Sequence, residues 1–213
     1  MVQDKGGTVL IIEDDAGVAR LQQRRLERVG YQVVSAGTAE EGVEKLKAGN
    51  VDLVLLDYRL PGNLTGLDVY ARLKETGQDV PVILVTGFSD EIMVIQALRV
   101  GVRDFVTKSV EYLDYLPEAV ARVLKQVRTE QQLAQSQARL AGIISSARDA
   151  IITIDSDQRV NLFNAAAERM FRCTVREAIG QPVQRFLPGT ADGSISLFGQ
   201  SAEKDHLCAH WFE

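Results

Sequence analysis

Over its first 127 positions the chain alternates short unbroken apolar runs with segments whose apolar residues recur every three or four places. Thr8-Val-Leu-Ile-Ile12, Val51-Asp-Leu-Val-Leu-Leu-Asp57 and Val80-Pro-Val-Ile-Leu-Val85 lack the polar alternation of a half-wet strand, so they read as strands covered on both faces. Tyr31-Gln-Val-Val-Ser35 and Asp104-Phe-Val-Thr-Lys108 read as two more polar strands. Between them lie four helical segments. Ala16 to Val29 places Val18, Leu21, Leu26 and Val29 on one side and stops at Gly30. Thr38 and Glu41 have capping-box spacing ahead of Val43 and Leu46, and Gly49 ends that helix. After the loop from Pro61 to Gly66 comes a helix carrying Leu67, Val69, Tyr70 and Leu73; the next is capped by Ser89, runs to Val100 and stops at Gly101. Five strands separated by helices predict an α/β doubly wound parallel sheet.

From Leu116 the pattern stays helical for a long way. Val120, Val123, Leu124 and Val127 form an inner face, and Pro117 suits a first-turn position. The segment from Arg128 to Ala141 has good helix composition with a thin apolar stripe, Leu133 and Leu140 standing seven apart. The six-residue step from Val127 to Leu133 breaks the heptad, so two readings stand: a signalling helix that pairs with a second copy, or a solvated spacer. Past Ser146 the period shortens. Ala150 to Asp155, a turn over Ser156 to Arg159, and Val160 to Asn164 predict a hairpin that runs into a helix from Ala165 to Phe171. The expected division is a domain over 1–127, a helical linker over 128–146 and a partial α+β module over 147–213.

Composition narrows the class. The 213 residues are 46% hydrophobic and 25% charged with a net charge of −5, enough chain for one ordinary domain and part of another. The acidic balance argues against a nucleic-acid-binding face. No charge-free apolar run is long enough to span a bilayer and no signal peptide stands near Met1, so no membrane partner is expected; with two cysteines that suggest no disulfide framework, a reducing cytoplasmic location is expected. Cys173 and Cys208, the two cysteines, have no metal-like spacing. His206 and His210 are four apart but without a third ligand, and read as surface histidines.

The candidate chemistry gathers at one sheet edge. A sheet of this kind is expected to take the flavodoxin-like order 2-1-3-4-5, with its site outside the carboxyl ends of strands 1 and 3. That places Glu13-Asp14-Asp15 beside Asp57, with Thr86 and Lys108 closing the edge from strands 4 and 5. Crowded carboxylates repel one another unless a hard cation neutralises them, and Mg2+ suits a few Asp/Glu side chains plus a phosphate. Asp15, at the start of the first helix, reads as a favourable first-turn acid rather than a ligand. Lys108 can pair with an anion on Asp57 and the Thr86 hydroxyl can donate to it. The set describes a carboxylate that accepts a phosphoryl group.

In this order and spacing, the acidic pair, the Asp, the Thr, the aromatic and the Lys resemble the CheY-like receiver domain of two-component response regulators, over roughly residues 7 to 127. The resemblance implies that Glu13 and Asp14 hold Mg2+ or Mn2+ together with Asp57 and the backbone carbonyl of Arg59. It makes Asp57 the phosphoacceptor, Thr86 and Phe105 the switch pair, Lys108 the phosphate-binding lysine, and Gly87 the small residue after the threonine. Arg59 and Phe88, each two residues beyond a site residue, are the candidates for setting the dephosphorylation rate. The implied partner is a sensor histidine kinase or phosphotransfer protein, with no enzyme activity beyond promoting the chain's own phosphorylation. Two features depart from the family: Ser109 stands where a proline usually follows the lysine, and the loop from Pro61 to Gly66 is one residue long for its kind. The alternative, an aspartyl-phosphate-forming phosphatase or phosphotransferase, would want a second Asp two residues after the nucleophile, where Arg59 stands. A transcription factor would want a helix-turn-helix or basic segment after the receiver, and none follows.

Asn164-Ala-Ala-Ala-Glu-Arg-Met-Phe171 and Ile179-Gly-Gln-Pro-Val-Gln-Arg-Phe-Leu187 resemble the opening of a PAS sensor domain. A complete domain of that kind runs to roughly a hundred residues, whereas about 65 follow Ser146, so an unfinished sheet is expected, in a fragment of a longer protein or in a degenerate module. Photosensing flavin-binding relatives carry a Cys in the segment matching Gly180 to Leu187; this chain has none there, and no cofactor is expected for this part.

Overall fold

The computed structural model describes residues 6–61, 64–87, 91–186 and 207–209. Contacts divide the chain into two compact units, Met1–Gln131 and Gln132–Glu213.

The first unit is built on β1 (Thr8–Ile12), α1 (Ala16–Arg28), β2 (Gln32–Ala36), α2 (Ala39–Lys47), β3 (Leu53–Asp57), α3 (Gly66–Glu75), β4 (Val82–Thr86), α4 (Glu91–Arg99), β5 (Asp104–Thr107) and the start of α5 (Tyr112–Ser146). Its five strands are parallel in the order β2-β1-β3-β4-β5, as the pattern predicts. The continuous apolar runs are explained by two-sided burial. Leu10, Ile12, Val54, Leu56, Val82 and Leu84 pack with α2, α3 and α4, while Val9, Ile11, Leu53, Leu55, Ile83 and Val85 pack with α1 and α5. With a side-chain period of two, both halves of each run must then be apolar.

Helix starts follow from their caps. Thr38 Oγ1 accepts from Glu41 N–H at 3.2 Å, while the Glu41 carboxylate reaches one residue further than expected, to Gly37 N–H at 2.8 Å. Thr65 and Asp68 form a complete capping box on α3. Gly66 packs so tightly that a Cβ would stand 2.9 Å from Tyr58 Cα and 3.1 Å from the Asp57 carbonyl oxygen. Gly101, with φ +103°, turns the chain out of α4.

Three expectations are corrected. The buried stripe of α1 is Ala19, Gln22 and Leu26, whereas Leu21 and Val29 are half exposed. Small Ala19 lets the helix approach the sheet, and the 3–4 spacing holds with a glutamine in the middle, which a hydrophobic reading passes over. Asp15 is the N-cap of α1 rather than a first-turn residue, and its carboxylate accepts from Gly17 N–H at 2.7 Å and Val18 N–H at 3.1 Å. Pro117 lies inside α5, because turns closed by Tyr112 N–H to Ser109 O and Asp114 N–H to Glu111 O start the helix about a turn earlier. The Leu113 carbonyl accordingly has no i+4 donor. The expected cap Ser89 lies outside the described residues, as do Gly62 and Asn63 of the loop before α3.

α5 continues to Ser146 without a break, and Leu133 and Leu140 are 60% and 57% exposed on it. In the second unit, β6 (Ile152–Ile154) and β7 (Val160–Phe163) form the predicted antiparallel hairpin, and β8 (Leu207–Ala209) pairs with the other edge of β6. α6 (Ala165–Phe171) is capped by Asn164, then come α7 (Val175–Ala178) and a 3-10 turn at Val183–Arg185. Asn164 is buried and fully used: its Oδ1 accepts from Ile151 and Ala167 N–H, and its Nδ2 donates to the Ile144 and Asp149 carbonyls. Phe163, Phe171 and Phe186 fill the core with ring centroids 5.1–5.9 Å apart. His206 and His210 lie outside the described residues. Among those residues no helix is long and apolar enough to cross a membrane.

Candidate functional site

The carboxyl edge of the sheet carries the site, and the strand ladder positions each part of it. β1 delivers Glu13, whose N–H is held by the Ala36 carbonyl at 3.0 Å. β3 ends on Asp57, opposite Val85, with Tyr58 N–H on the Val85 carbonyl at 2.9 Å. β4 ends on Thr86, 2% exposed, whose carbonyl accepts from Lys108 N–H at 2.7 Å. This last bond fixes the start of the Lys108 side chain without a following proline. No cis peptide occurs among the described residues, and Ser109 N–H closes a tight turn on the Thr107 carbonyl at 2.7 Å.

The geometry brings Glu13, Asp14, Asp57 and Lys108 together. The Lys108 ammonium lies 2.8 Å from Glu13 Oε2 and 3.1 Å from Asp57 Oδ1, so one cation bridges two carboxylates. The sequence suggests its pairing with Asp57; the link to Glu13 emerges only from the fold. Glu13 and Asp57 are buried while Asp14 is exposed. Burial pushes the Glu13 carboxyl above its usual range; the Lys108 hydrogen bond pulls it down, and the negative charge of Asp57 pushes it up again. For Lys108 burial opposes the charge, but the hydrogen bond to Glu13 and the charges of Asp57 and Glu13 together leave its pKa raised. Two acids share one base, and the site is short of positive charge.

One oxygen from each of Glu13, Asp14 and Asp57 lies within 4.8 Å of the others. An all-carboxylate set with one wet side fits a hard divalent cation that keeps some of its water, and offers nothing to a soft metal. Asp15 is engaged as the α1 cap and is absent from this group. Arg59 pairs by a single antiparallel bridge with Thr65 and has an exposed side chain.

Thr86 and Phe105 lie on one face of the sheet. Leu84 is opposite Phe105 and Thr86 opposite Thr107, and Phe105 is half buried against the α2–α3–α4 cluster. Gly87 is exposed, with no described atom within 4 Å of where a Cβ would stand. Phe88 lies outside the described residues. Sequence reading passes over Tyr112 and Gln22, which meet between α1 and the start of α5; a glutamine on the buried face of α1 is the signal that was there to find.

Residues 9–121 match the family model of the response regulator receiver domain. The chain belongs to the response regulator receiver family. It is 38% identical over 122 residues to the uncharacterised transcriptional regulatory protein YkoG of Bacillus subtilis, covering 57% of this chain and 51% of that protein. Among solved structures it is similar to a CheY-like receiver domain protein of Methanospirillum hungatei, with TM-score 0.51 and 26% identity over 58% of this chain and 98% of that one. It is also similar to a protein in which the yeast Spc42 trimeric coiled coil, amino acids 181–211, is fused to another structure. That likeness has TM-score 0.57 and 26% identity, covering 65% of this chain and 89% of the other. The chain spans about half the length of the curated relatives it matches. After the receiver, residues 138–202 match the PAS fold model.

Proposed function

We propose that this receiver takes a phosphoryl group on Asp57 from the phosphohistidine of a sensor kinase or phosphotransfer protein, or from a small phosphodonor. The observation that supports it best is the Lys108 ammonium bridging Glu13 and Asp57 at the carboxyl edge of the sheet. Asp57 is a carboxylate with no proton to lose, so the donor's P–N or P–O bond breaks as the bond to an Asp57 oxygen forms. Lys108 is placed to leave Glu13 and follow the new anion, and the Thr86 hydroxyl to donate to it, with Gly87 leaving the approach open and Phe105 following Thr86 on the same face. Glu13, Asp14 and Asp57, with the backbone carbonyl of Arg59, would hold Mg2+ or Mn2+. That ion would neutralise the carboxylates and offset charge on the transferring oxygens. The part played is that of a phosphoacceptor rather than an enzyme with its own substrate; Arg59 stands where a phosphatase of the aspartyl-phosphate type would carry its second Asp. Incubation with acetyl phosphate and Mg2+ followed by peptide mass spectrometry tests this: a phosphoryl group on Asp57 is expected, and a group located elsewhere would refute it.

The proposed organisation is a receiver over 1–127, a signalling linker over 128–146 and a PAS-like module over 147–213. Leu133 and Leu140 lie in the wholly exposed stretch of α5 and are available to a second copy of the chain. Replacing both with Glu in the full chain is expected to convert a dimer into a monomer by light scattering. Equal masses for the two would leave the helix a solvated spacer.

By their sequence positions, two residues beyond Asp57 and two beyond Thr86, Arg59 and Phe88 are proposed to slow hydrolysis of the aspartyl phosphate. Arg59→Asn and Phe88→Ala, singly and together, are expected to shorten the life of the label on Asp57 by about tenfold, or roughly 1.4 kcal/mol in the barrier. Unchanged decay in all three variants would defeat that assignment.

A further inference from the structure

The first turn of α5 is joined to α1 by a buried polar contact that is only half made. Gln22 is 1% exposed within the apolar cluster that includes Ala19, Leu26, Leu116 and Val120. Its Nε2 donates to the Tyr112 hydroxyl at 3.5 Å, the outer limit of a hydrogen bond. Its Oε1 is buried and has no partner among the described residues. A buried amide is costly unless its polar atoms are paired, and a leucine here would pack without that cost. Half a rotation about the last side-chain bond would present Oε1 to the hydroxyl as acceptor and leave Nε2 as the unpaired atom. Neither orientation satisfies both ends, so neither is locked.

The same contact lies within reach of the site. Tyr112 follows Lys108 by four residues, and successive turns leave little slack between them: Lys108 N–H to Thr86 O at 2.7 Å, Ser109 N–H to Thr107 O at 2.7 Å, and Tyr112 N–H to Ser109 O at 3.3 Å. Burial raises the pKa of the Tyr112 hydroxyl and the Gln22 bond lowers it; the charge of Lys108 then pulls it down while Glu13 and Asp57 push it up. A phosphoryl group on Asp57 would change that field and draw Lys108, and with it the segment that leads into α5. The Arg25–Asp114 ion pair joins the same two helices but is exposed and therefore adaptable.

We propose that Gln22 and Tyr112 form a two-position latch through which the phosphorylation state of Asp57 sets the first turn of α5 against α1. The proposal rests on Asp57 being the phosphoacceptor. Both positions of the latch keep the Tyr112 ring against the α1–α5 cluster, so a shift there is carried to Leu116 and Val120 by packed side chains.

The test uses the full chain, its Tyr112→Phe variant and the Gln22→Met/Tyr112→Phe double variant, which replaces both polar partners by apolar groups of similar shape. Phosphoryl incorporation from acetyl phosphate with Mg2+, amide hydrogen exchange over residues 112–124 before and after labelling, and the urea midpoint are measured on each. In the parent, labelling is expected to change exchange over that segment by about threefold or more. The double variant is expected to take the label equally, to unfold at the same or higher urea, and to lose the exchange response; Tyr112→Phe alone is expected to lose the response as well. A double variant that keeps the parent's response overturns the latch. So does a lowered midpoint, which would mark the contact as ordinary packing. A parent labelled on Asp57 without any exchange response overturns the latch alone, whereas a parent that takes no label overturns the reading beneath it and the latch with it.

Discussion

Asp57→Asn is expected to abolish phosphoryl incorporation and, in metal-free buffer, to stabilise the receiver by about 1–2 kcal/mol. The first effect follows from chemistry: an amide is not the nucleophile a carboxylate is. The second follows from the charge arrangement. At an effective dielectric of about 20, the attraction between Lys108 and Asp57 at 3.1 Å is about 5 kcal/mol. The repulsion from buried Glu13, with an oxygen within 4.8 Å, is at least about 3.5 kcal/mol, and exposed Asp14 adds a smaller share that solvent screens. Repulsion and the burial of Asp57 together oppose that attraction. Asparagine removes the repulsion and can still accept a hydrogen bond from Lys108. Urea unfolding in chelator and in Mg2+ checks it: the variant's advantage is expected in chelator and should vanish in Mg2+, which favours the parent. An Asp57→Asn variant that is less stable than the parent without metal would show that the acids are not in conflict.

Most of this is legible in the sequence, and for a physical reason. Strands buried on both faces need unbroken apolar runs, so β1, β3 and β4 announce themselves, and the carboxyl-end rule then places Glu13, Asp57, Thr86 and Lys108 together without any coordinate. What stays hidden depends on rotation and reach. Which face of α1 turns inward is set by Ala19 allowing close approach to the sheet, so Leu21 and Val29 are exposed and a polar Gln22 is buried. That Lys108 bridges Glu13 as well as Asp57 depends on a side-chain path fixed by the Thr86–Lys108 backbone bond. The early start of α5 comes from turn hydrogen bonds at Ser109 and Glu111, which place Pro117 inside a helix where propensity argues against it. In the second unit, the hairpin and α6 follow from alternation and from Asn164 as a cap, whereas the pairing of β8 with β6 joins residues more than 50 positions apart and no local pattern carries it.

Lys108→Met should have the opposite sign and the larger stability effect. Methionine keeps the length of the apolar stem and removes the ammonium, leaving Glu13 and Asp57 facing each other with side chains 3% and 8% exposed. Removing one member of a well-buried ion pair costs about 3–5 kcal/mol, and Lys108 is 22% exposed, so a loss of about 2–4 kcal/mol in chelator is expected. Part of the strain can be relieved by protonating Glu13, whose carboxyl is already pushed upward by burial and by Asp57. Bound Mg2+ would offer the other relief. An ion bound only to the folded state adds about 2.7 kcal/mol at a hundredfold excess over its Kd, so it should recover most of the variant's loss. The parent, whose carboxylates already share Lys108, should gain less from the same addition. Urea unfolding of both proteins across a Mg2+ titration separates the possibilities. A loss that is the same with and without Mg2+ would make Lys108 a packing residue, whereas a larger Mg2+ response in the variant would show that lysine and metal answer the same excess of negative charge around Asp57.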